Sequence, residues 1–177
     1  GVIDDARLFE FTVVSMTYAP SRGTALLGAE YAKKAGNVVS YDPNRRPLLW
    51  KDISETKQVM LKGVALADII KISEEEIEFL FGTKDLGAGA AALHAQGVDL
   101  VFITLGPKGC YFSSKEASGV LPTYDLKVVD TTGAGDAFMA GILCGVLQRG
   151  FALEELEKRE HLEALVDFAN AAGALAT

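Results

Sequence analysis

The sequence contains few of the residues that build disulfide frameworks or metal clusters. Its 177 residues include two cysteines, Cys110 and Cys144, and two histidines, His94 and His161. None of these side chains stands in a metal-ligand spacing, so the sequence gives no indication of a zinc site. Two thiols in a chain of this size predict a reduced, cytoplasmic compartment rather than a disulfide framework.

Long hydrophobic runs and basic segments are also missing. No apolar run approaches the roughly 20 residues that a membrane span requires. The first seven residues lack the basic and then apolar pattern of a signal peptide. The formal net charge is −7, and such a surface repels a polymer coated with phosphates. The sequence therefore predicts no membrane segment and no nucleic-acid partner, while a local site for a small anion stays compatible with it.

Segments typical of strands and helices alternate along most of the chain. Their near-continuous apolar strands predict an α/β fold with a mostly parallel sheet and helices on both faces. In such sheets ligands bind at the carboxyl ends of strands, which predicts functional residues near 42–46, 73–76, 104–109 and 130–136. The predicted strands are 9–16, 37–41, 68–72, 100–104 and 126–129, with a short antiparallel pair at 109–113 and 119–121. The predicted helices are 20–34, 54–64 with Ser54 as its cap, 74–81, 88–96, 137–149 and 162–175.

The strongest chemical signal lies directly before the helix predicted at 137. Gly133, Ala134 and Gly135 bring unpaired backbone N–H groups and the positive end of a helix dipole to one place, which favours an anion. A carboxylate at Asp136 makes sense there if it accepts the proton of an attacking hydroxyl while a phosphoryl group sits on those N–H groups. The alternative is a glycine-rich helix start with Asp136 as an N-terminal charge.

Two further segments follow predicted strands. An arginine after a strand offers a permanent positive charge for phosphate or sugar oxygens, and the alternative is a surface turn with two solvated arginines, Arg45 and Arg46. Ser73 and Glu76 have the spacing of a capping box.

The stretch from Asp130 to Phe138, followed by Gly141, resembles the C-terminal signature of the PfkB (ribokinase-like) carbohydrate kinases. The resemblance extends over almost the whole chain and is closest to the fructokinases. It implies ATP-dependent phosphoryl transfer to a sugar hydroxyl. Asp136 would be the catalytic base, and Gly133, Ala134 and Gly135 the anion hole.

The same resemblance implies roles for residues elsewhere. The segment from Asp42 to Trp50 is similar to the Asp-x-Asn-x-Arg-x-x-Leu-Trp stretch of fructokinases and ketodeoxygluconate kinases, with Arg46 as the matching arginine. Magnesium would be held through water by Glu76, and Asp130 and Thr132 fall where some relatives bind a monovalent cation such as K⁺. The implied ATP-binding residues are Asn44, Ser73, Thr104, Gly106, Gly109 and Asn170. Without the resemblance, the loop 104–109 is a plain turn and Asn170 a helix surface residue.

Kinases of this type run to roughly 300 residues, well above one average domain. We therefore expect residues 1–177 to be the C-terminal, ATP-binding and catalytic portion of a single kinase domain, without the N-terminal strands and lid. An exposed sheet edge would favour a homo-oligomer, and the chain alone would have weak or no activity. Two alternatives stay open, a kinase of ketodeoxygluconate, ribose or a nucleoside, and a non-catalytic nucleotide-binding scaffold. A third reading is an α/β domain with an unrelated ligand.

Overall fold

The computed structural model describes residues 1–150 and 152–177. Within them, six strands lie in one mixed sheet in chain order, accompanied by helices, which confirms the predicted α/β class. The strands are β1 Leu8–Thr12, β2 Val38–Asp42, β3 Ile69–Ser73, β4 Leu100–Thr104, β5 Cys110–Ser113 and β6 Ser118–Leu121. The helices are α1 Ser21–Lys34, α2 Ile53–Val64, α3 Glu74–Phe81, α4 Leu86–His94, α5 Ala134–Gln148, α6 Leu153–Leu156 and α7 Arg159–Leu175.

The chain divides into two compact units, and the first comprises Gly1–Val101. Strands β1, β2 and β3 are parallel there, with Glu10 opposite Ser40 in the register of the first pair. Apolar side chains of the strands form the core because branched and aromatic residues pack well on a pleated surface. Phe11 stacks on Tyr41 with ring centroids 4.6 Å apart, and α1 packs on β1 and β2.

Helix ends in this unit follow local side-chain chemistry. Ser73 and Glu76 form the predicted capping box at the start of α3, and Gly82 ends that helix in the left-handed conformation. The prediction that Ser54 caps α2 is wrong. Asp52 is the cap, because its extended backbone lets its carboxylate accept the N–H of Glu55 at 2.7 Å.

The second unit comprises Phe102–Thr177. Strands β5 and β6 form the predicted antiparallel pair, with Cys110 opposite Leu121 and Ser113 opposite Ser118. Helices α5 and α7 pack closely along their lengths. At Gly141 an added Cβ would lie 2.8 Å from the Cα of Ala169, so the two helix backbones approach each other where glycine removes the side chain.

Two predicted strands differ from the structure. The strand predicted at 9–16 ends at Thr12, and Val14–Met16 forms a single 3₁₀ turn instead. The segment 126–129 is not a strand, and its apolar side chains are exposed, with 86 % of Val129 accessible. A short apolar run forms a strand only when a neighbouring strand pairs with it, and none does so among the described residues. Among all the residues that the structure describes, no helix is both long and apolar enough to cross a bilayer.

Candidate functional site

The start of α5 presents backbone N–H groups to solvent. Gly133 is the N-cap residue and adopts the left-handed conformation with φ of +85°, which glycine reaches without steric cost. The N–H of Ala134 donates to the carbonyl of Thr131 at 3.2 Å. The N–H groups of Gly133 and Gly135 meet no acceptor among the residues that the structure describes. Together with the helix dipole, these two groups form a site suited to an anion.

Asp136 lies in the first turn of α5, one residue beyond Gly135, and is exposed. Its carboxylate can accept a proton from a hydroxyl group that approaches the same helix end. The structure thus brings a proton acceptor and two amide donors together within four consecutive residues.

Helix α7 determines where this helix start lies within the second unit. At Gly173 of α7, an added Cβ would lie 3.1 Å from the carbonyl oxygen of Ala134. The same Cβ would lie 3.4 Å from the Cβ of Phe138. A side chain at 173 would therefore press on the first turn of α5, so the glycine in α7 helps to position the amides of Gly133 and Gly135.

The residues before α5 form a compact turn around one carboxylate. The Oδ1 atom of Asp130 accepts the backbone N–H of Thr132 at 2.9 Å and its hydroxyl at 2.8 Å. These hydrogen bonds, the backbone one first, lower the pKa of the exposed Asp130 carboxyl. The backbone N–H of Asp130 also donates to the carbonyl of Thr177 at 3.1 Å. The two residues predicted to bind a monovalent cation are thus in direct contact.

The predicted nucleotide loop follows β4, which ends at Thr104 as expected. Gly106 and Gly109 both have positive φ angles, of 57° and 99°. At Gly109 an added Cβ would lie 2.1 Å from the carbonyl oxygen of Leu121, so no other residue fits between the loop and that segment.

Asn170 of α7 reaches the same segment. Its Nδ2 donates to the carbonyl of Pro122 at 3.1 Å and, more weakly, to that of Leu121 at 3.4 Å. Only 4 % of Asn170 is exposed, so its interpretation as a helix surface residue is wrong.

In the first unit, the turn after β2 carries Asn44 and Arg46. Asn44 adopts a left-handed conformation with φ of 47°, and its Oδ1 accepts a hydrogen bond from Nη1 of the exposed Arg46. Arg45 between them is not the solvated residue that the sequence suggested. It is half-buried, and its guanidinium carbon lies 4.0 Å from the centroid of the Phe79 ring in α3.

Both carboxylate oxygens of Glu76 hold backbone amides. Oε2 accepts the N–H of Ser73 at 3.0 Å, and Oε1 accepts the N–H of Arg45 at 2.6 Å. Only 8 % of Glu76 is exposed. A metal-bound water at Glu76 would therefore share oxygens that already hold the turn after β2 and the start of α3. Among the described residues, no group of three or more His, Cys, Asp or Glu side chains gathers as a metal site.

Sequence reasoning missed one charged residue at this end of the sheet. Lys71 lies inside β3, and its Nζ is 2.7 Å from Oδ2 of Asp42, the last residue of β2. The signal was present, because a lysine within the run Ile-Ile-Lys-Ile breaks an otherwise apolar strand and a buried lysine is rarely unpaired.

Comparison with known proteins places these features in a family. The family model described as "pfkB family carbohydrate kinase" matches residues 3–177. Fructokinase-1 of Oryza sativa subsp. japonica is 37 % identical over 175 residues, which cover 98 % of this chain and 53 % of that protein. The chain thus spans about half the length of the first curated relatives it matches.

Solved structures of fructokinases also align with this chain. The crystal structure of a fructokinase with bound ATP from Xylella fastidiosa aligns with a TM-score of 0.90 and 31 % identity, covering 99 % of this chain and 56 % of that one. A fructokinase from Vibrio cholerae O395, crystallised with fructose, ADP and calcium ion, aligns with a TM-score of 0.85 and 32 % identity. This second alignment covers 96 % of this chain and 54 % of that one.

Proposed function

This chain belongs to the pfkB family of carbohydrate kinases, and we propose that it is the C-terminal, ATP-binding and catalytic portion of a fructokinase. The reaction is transfer of the γ-phosphoryl group of ATP to a primary hydroxyl of fructose. The similarity to proteins named fructokinase supports this substrate over ketodeoxygluconate, ribose or a nucleoside.

The observation that carries the proposal is the start of α5. Two N–H groups, of Gly133 and Gly135, have no acceptor within the described part of the chain and stand beside the exposed carboxylate of Asp136. A carboxylate next to an anion site repels the anion, so its presence there is best explained by a chemical task. Accepting the proton of the attacking hydroxyl is such a task, because the proton must leave as the oxygen bonds to phosphorus.

Other residues of the chain bind and orient the reactants in this proposal. The guanidinium of Arg46 contacts phosphate or sugar oxygens, and its hydrogen bond to Asn44 orients it. The nucleotide lies along the loop that contains Thr104, Gly106 and Gly109, and the side-chain oxygen of Asn170 accepts a hydrogen bond from it. Ser73 contributes mainly through its capping box, which fixes the first turn of α3.

Magnesium fits the oxygen donors that the chain offers. Mg²⁺ keeps several of its waters and is commonly held by few carboxylates together with substrate phosphates, which agrees with one carboxylate at Glu76 rather than a protein cage. When bound, the ion neutralises the charge that develops on the phosphoryl group. We assign K⁺ to Asp130 and Thr132, whose oxygens are already in contact.

The substrate assignment is tested by measuring ADP release with magnesium-ATP. The sugars are fructose, ketodeoxygluconate, ribose and a nucleoside. They are offered to this chain and to a chimera in which it replaces the matched stretch of the Oryza sativa fructokinase-1. Fructose-dependent turnover by the chimera is the expected result. Turnover with another sugar alone would reassign the substrate.

The catalytic assignment is tested by Asp136→Asn in the same chimera. Losing the proton acceptor should reduce kcat by about a hundredfold or more. Glu160→Gln is the matched control, because Glu160 is an exposed carboxylate in the first turn of another helix, α7, and should leave kcat unchanged. ATP binding with no turnover in any of these proteins would instead favour a nucleotide-binding scaffold.

We also propose that copies of the chain associate in a reducing, cytoplasmic compartment. Strand β1 is the edge of the described sheet, and such edges pair with other strands unless they are covered. Cys110 and Cys144 are free thiols, in keeping with a reducing compartment. Sedimentation of the chain over a range of concentrations would test association, and a monomer at all concentrations would contradict it.

A further inference from the structure

A buried ion pair ends strand β2. Oδ2 of Asp42 lies 2.7 Å from Nζ of Lys71 on the neighbouring strand, and the two side chains are only 4 % and 8 % exposed. Replacing such a pair by apolar residues is often neutral or stabilising, so the pair is weak evidence for a role in stability. A role in local geometry is the better explanation, because Lys71 neutralises the carboxylate that is buried at the end of β2.

Besides the ion pair between β2 and β3, the turn that follows Asp42 makes two contacts with α3. The N–H of Arg45 donates to Oε1 of Glu76 at 2.6 Å, and the Arg45 guanidinium lies 4.0 Å from the centre of the Phe79 ring. Arg45 is therefore turned toward α3 by both its backbone and its side chain. The next residue, Arg46, is exposed.

The conformation held by these attachments is an uncommon one. Asn44 has φ of 47°, a left-handed value that residues other than glycine seldom adopt and that persists when surrounding contacts determine it. The turn is also tied to the end of β1, because the N–H of Val13 donates to the carbonyl of Pro43 at 3.1 Å. Without such ties, Asn44 would relax and Arg46 would lose the direction that its contact with Asn44 gives it.

We propose that Lys71 is a positioning residue that neutralises Asp42 and so holds the turn 42–46 in the conformation that presents Asn44 and Arg46 to a nucleotide phosphate. Only the identity of the ligand in this inference rests on the proposed function. The bracing of the turn by Lys71 follows from the contacts within the first unit.

The bracing is tested without a ligand by amide hydrogen exchange. In Lys71→Met the carboxylate of Asp42 loses the ammonium group that lies 2.7 Å from it. Exchange at the Arg45 and Val13 amides should accelerate about tenfold relative to exchange at a reference amide of α3. The N–H of Gly82, which donates to the carbonyl of Glu78 at 2.8 Å, is that reference. General destabilisation would accelerate all three amides alike.

The matched control removes both charges. In Asp42→Asn with Lys71→Met neither charge of the pair remains, so slow exchange at Arg45 and Val13 should return. The inference is overturned if Lys71→Met leaves their exchange unchanged relative to Gly82. It is also overturned if the double variant exchanges as fast as the single one.

The link to phosphate is tested by titration with magnesium-ATP, followed by the emission of Trp50. This residue is the only tryptophan of the chain and ends the turn Pro47–Leu49 beside Arg46. Lys71→Met and Arg46→Ala should each weaken binding. Because Lys71 acts through Arg46, adding Lys71→Met to Arg46→Ala should weaken binding no further.

Two results would contradict that link. Additive losses would mean that Lys71 acts independently of Arg46, and the positioning role would be overturned. No ATP binding by the unsubstituted chain would overturn the proposed function and the phosphate part of this inference. The exchange measurement would still decide whether Lys71 holds the turn.

Discussion

Tyr41 places a hydroxyl in the core of the first unit without a hydrogen-bond partner among the described residues. The side chain is fully buried, and its ring lies so close to α2 that a Cβ at Gly63 would be 2.4 Å from it. Burial first, and then the carboxylates of Glu76 and Asp42, raise the pKa of this hydroxyl well above its usual range. A buried polar group that lacks a partner costs folding free energy.

Tyr41→Phe should therefore raise the free energy of unfolding by about 1 kcal/mol, because it removes the unsatisfied hydroxyl and keeps the ring. Urea denaturation measures the change. Tyr124→Phe is the control, since the hydroxyl of the exposed Tyr124 donates to Asp167 at 2.7 Å and its loss should bring no gain. A clear loss of stability in Tyr41→Phe would mean that a buried water or another group satisfies this hydroxyl.

Single residues could be predicted from the sequence where their partners are close along the chain. The capping box of Ser73 and Glu76 depends on a spacing of three and was predicted correctly. The contact of Arg45 with Phe79 joins two elements, and its geometry depends on how α3 packs. No local pattern specifies such a contact, which is why Arg45 was expected to be solvated.

At the scale of elements, close packing of α5 on α7 positions the candidate anion site. Gly141→Ala should destabilise the protein by about 1–3 kcal/mol, because the new methyl group meets the Ala169 backbone rather than a movable side chain. The change would be measured by thermal or urea denaturation.

Gly23→Ala is the matched control for this substitution. Gly23 also lies in a helix, α1, but an added Cβ meets nothing within 4 Å. Alanine should therefore stabilise the protein there by up to about 1 kcal/mol through helix propensity. If both substitutions stabilise the protein, the contact between α5 and α7 is looser than the structure indicates.

Strand ends were the most useful element-level prediction. Strands β2, β3 and β4 end at Asp42, Ser73 and Thr104, where functional residues were expected. The fourth expected position failed as a strand end because 126–129 has no strand beside it in the described structure, and α5 begins at Ala134, three residues before the predicted start at 137. Helix starts depend on local glycine and capping chemistry, whereas a strand depends on neighbours that the sequence does not identify.

At the scale of the whole molecule, the net charge of −7 includes one carboxylate in an unusual place. Glu10 lies in the middle of β1, and the pKa of its carboxyl is raised from 4.5 to about 7. Desolvation is the largest cause of this rise, the Ser40 side chain opposes it, and the charge of Asp42 adds to it. Between pH 4.5 and about 7, the folded chain therefore still binds a proton at Glu10 that the unfolded chain has already released. The free energy of unfolding should therefore fall as the pH rises from 4.5 to 7 and then level off.

Glu10→Gln should remove this dependence and stabilise the protein at pH values above the raised pKa. The expected gain is about 1 kcal/mol, well below the full value of the shift, because Glu10 is exposed at the sheet edge and solvent screens its charge.

Glu30→Gln separates this local effect from overall repulsion. Glu30 is an exposed carboxylate of α1, so its loss removes the same negative charge from the molecule without relieving desolvation. Equal gains in the two variants, measured by urea denaturation across this pH range, would attribute the dependence to the charge of the whole molecule. A gain confined to Glu10→Gln would attribute it to the β1 edge, where an arriving strand would desolvate the same carboxylate further and make association weaker as the pH rises.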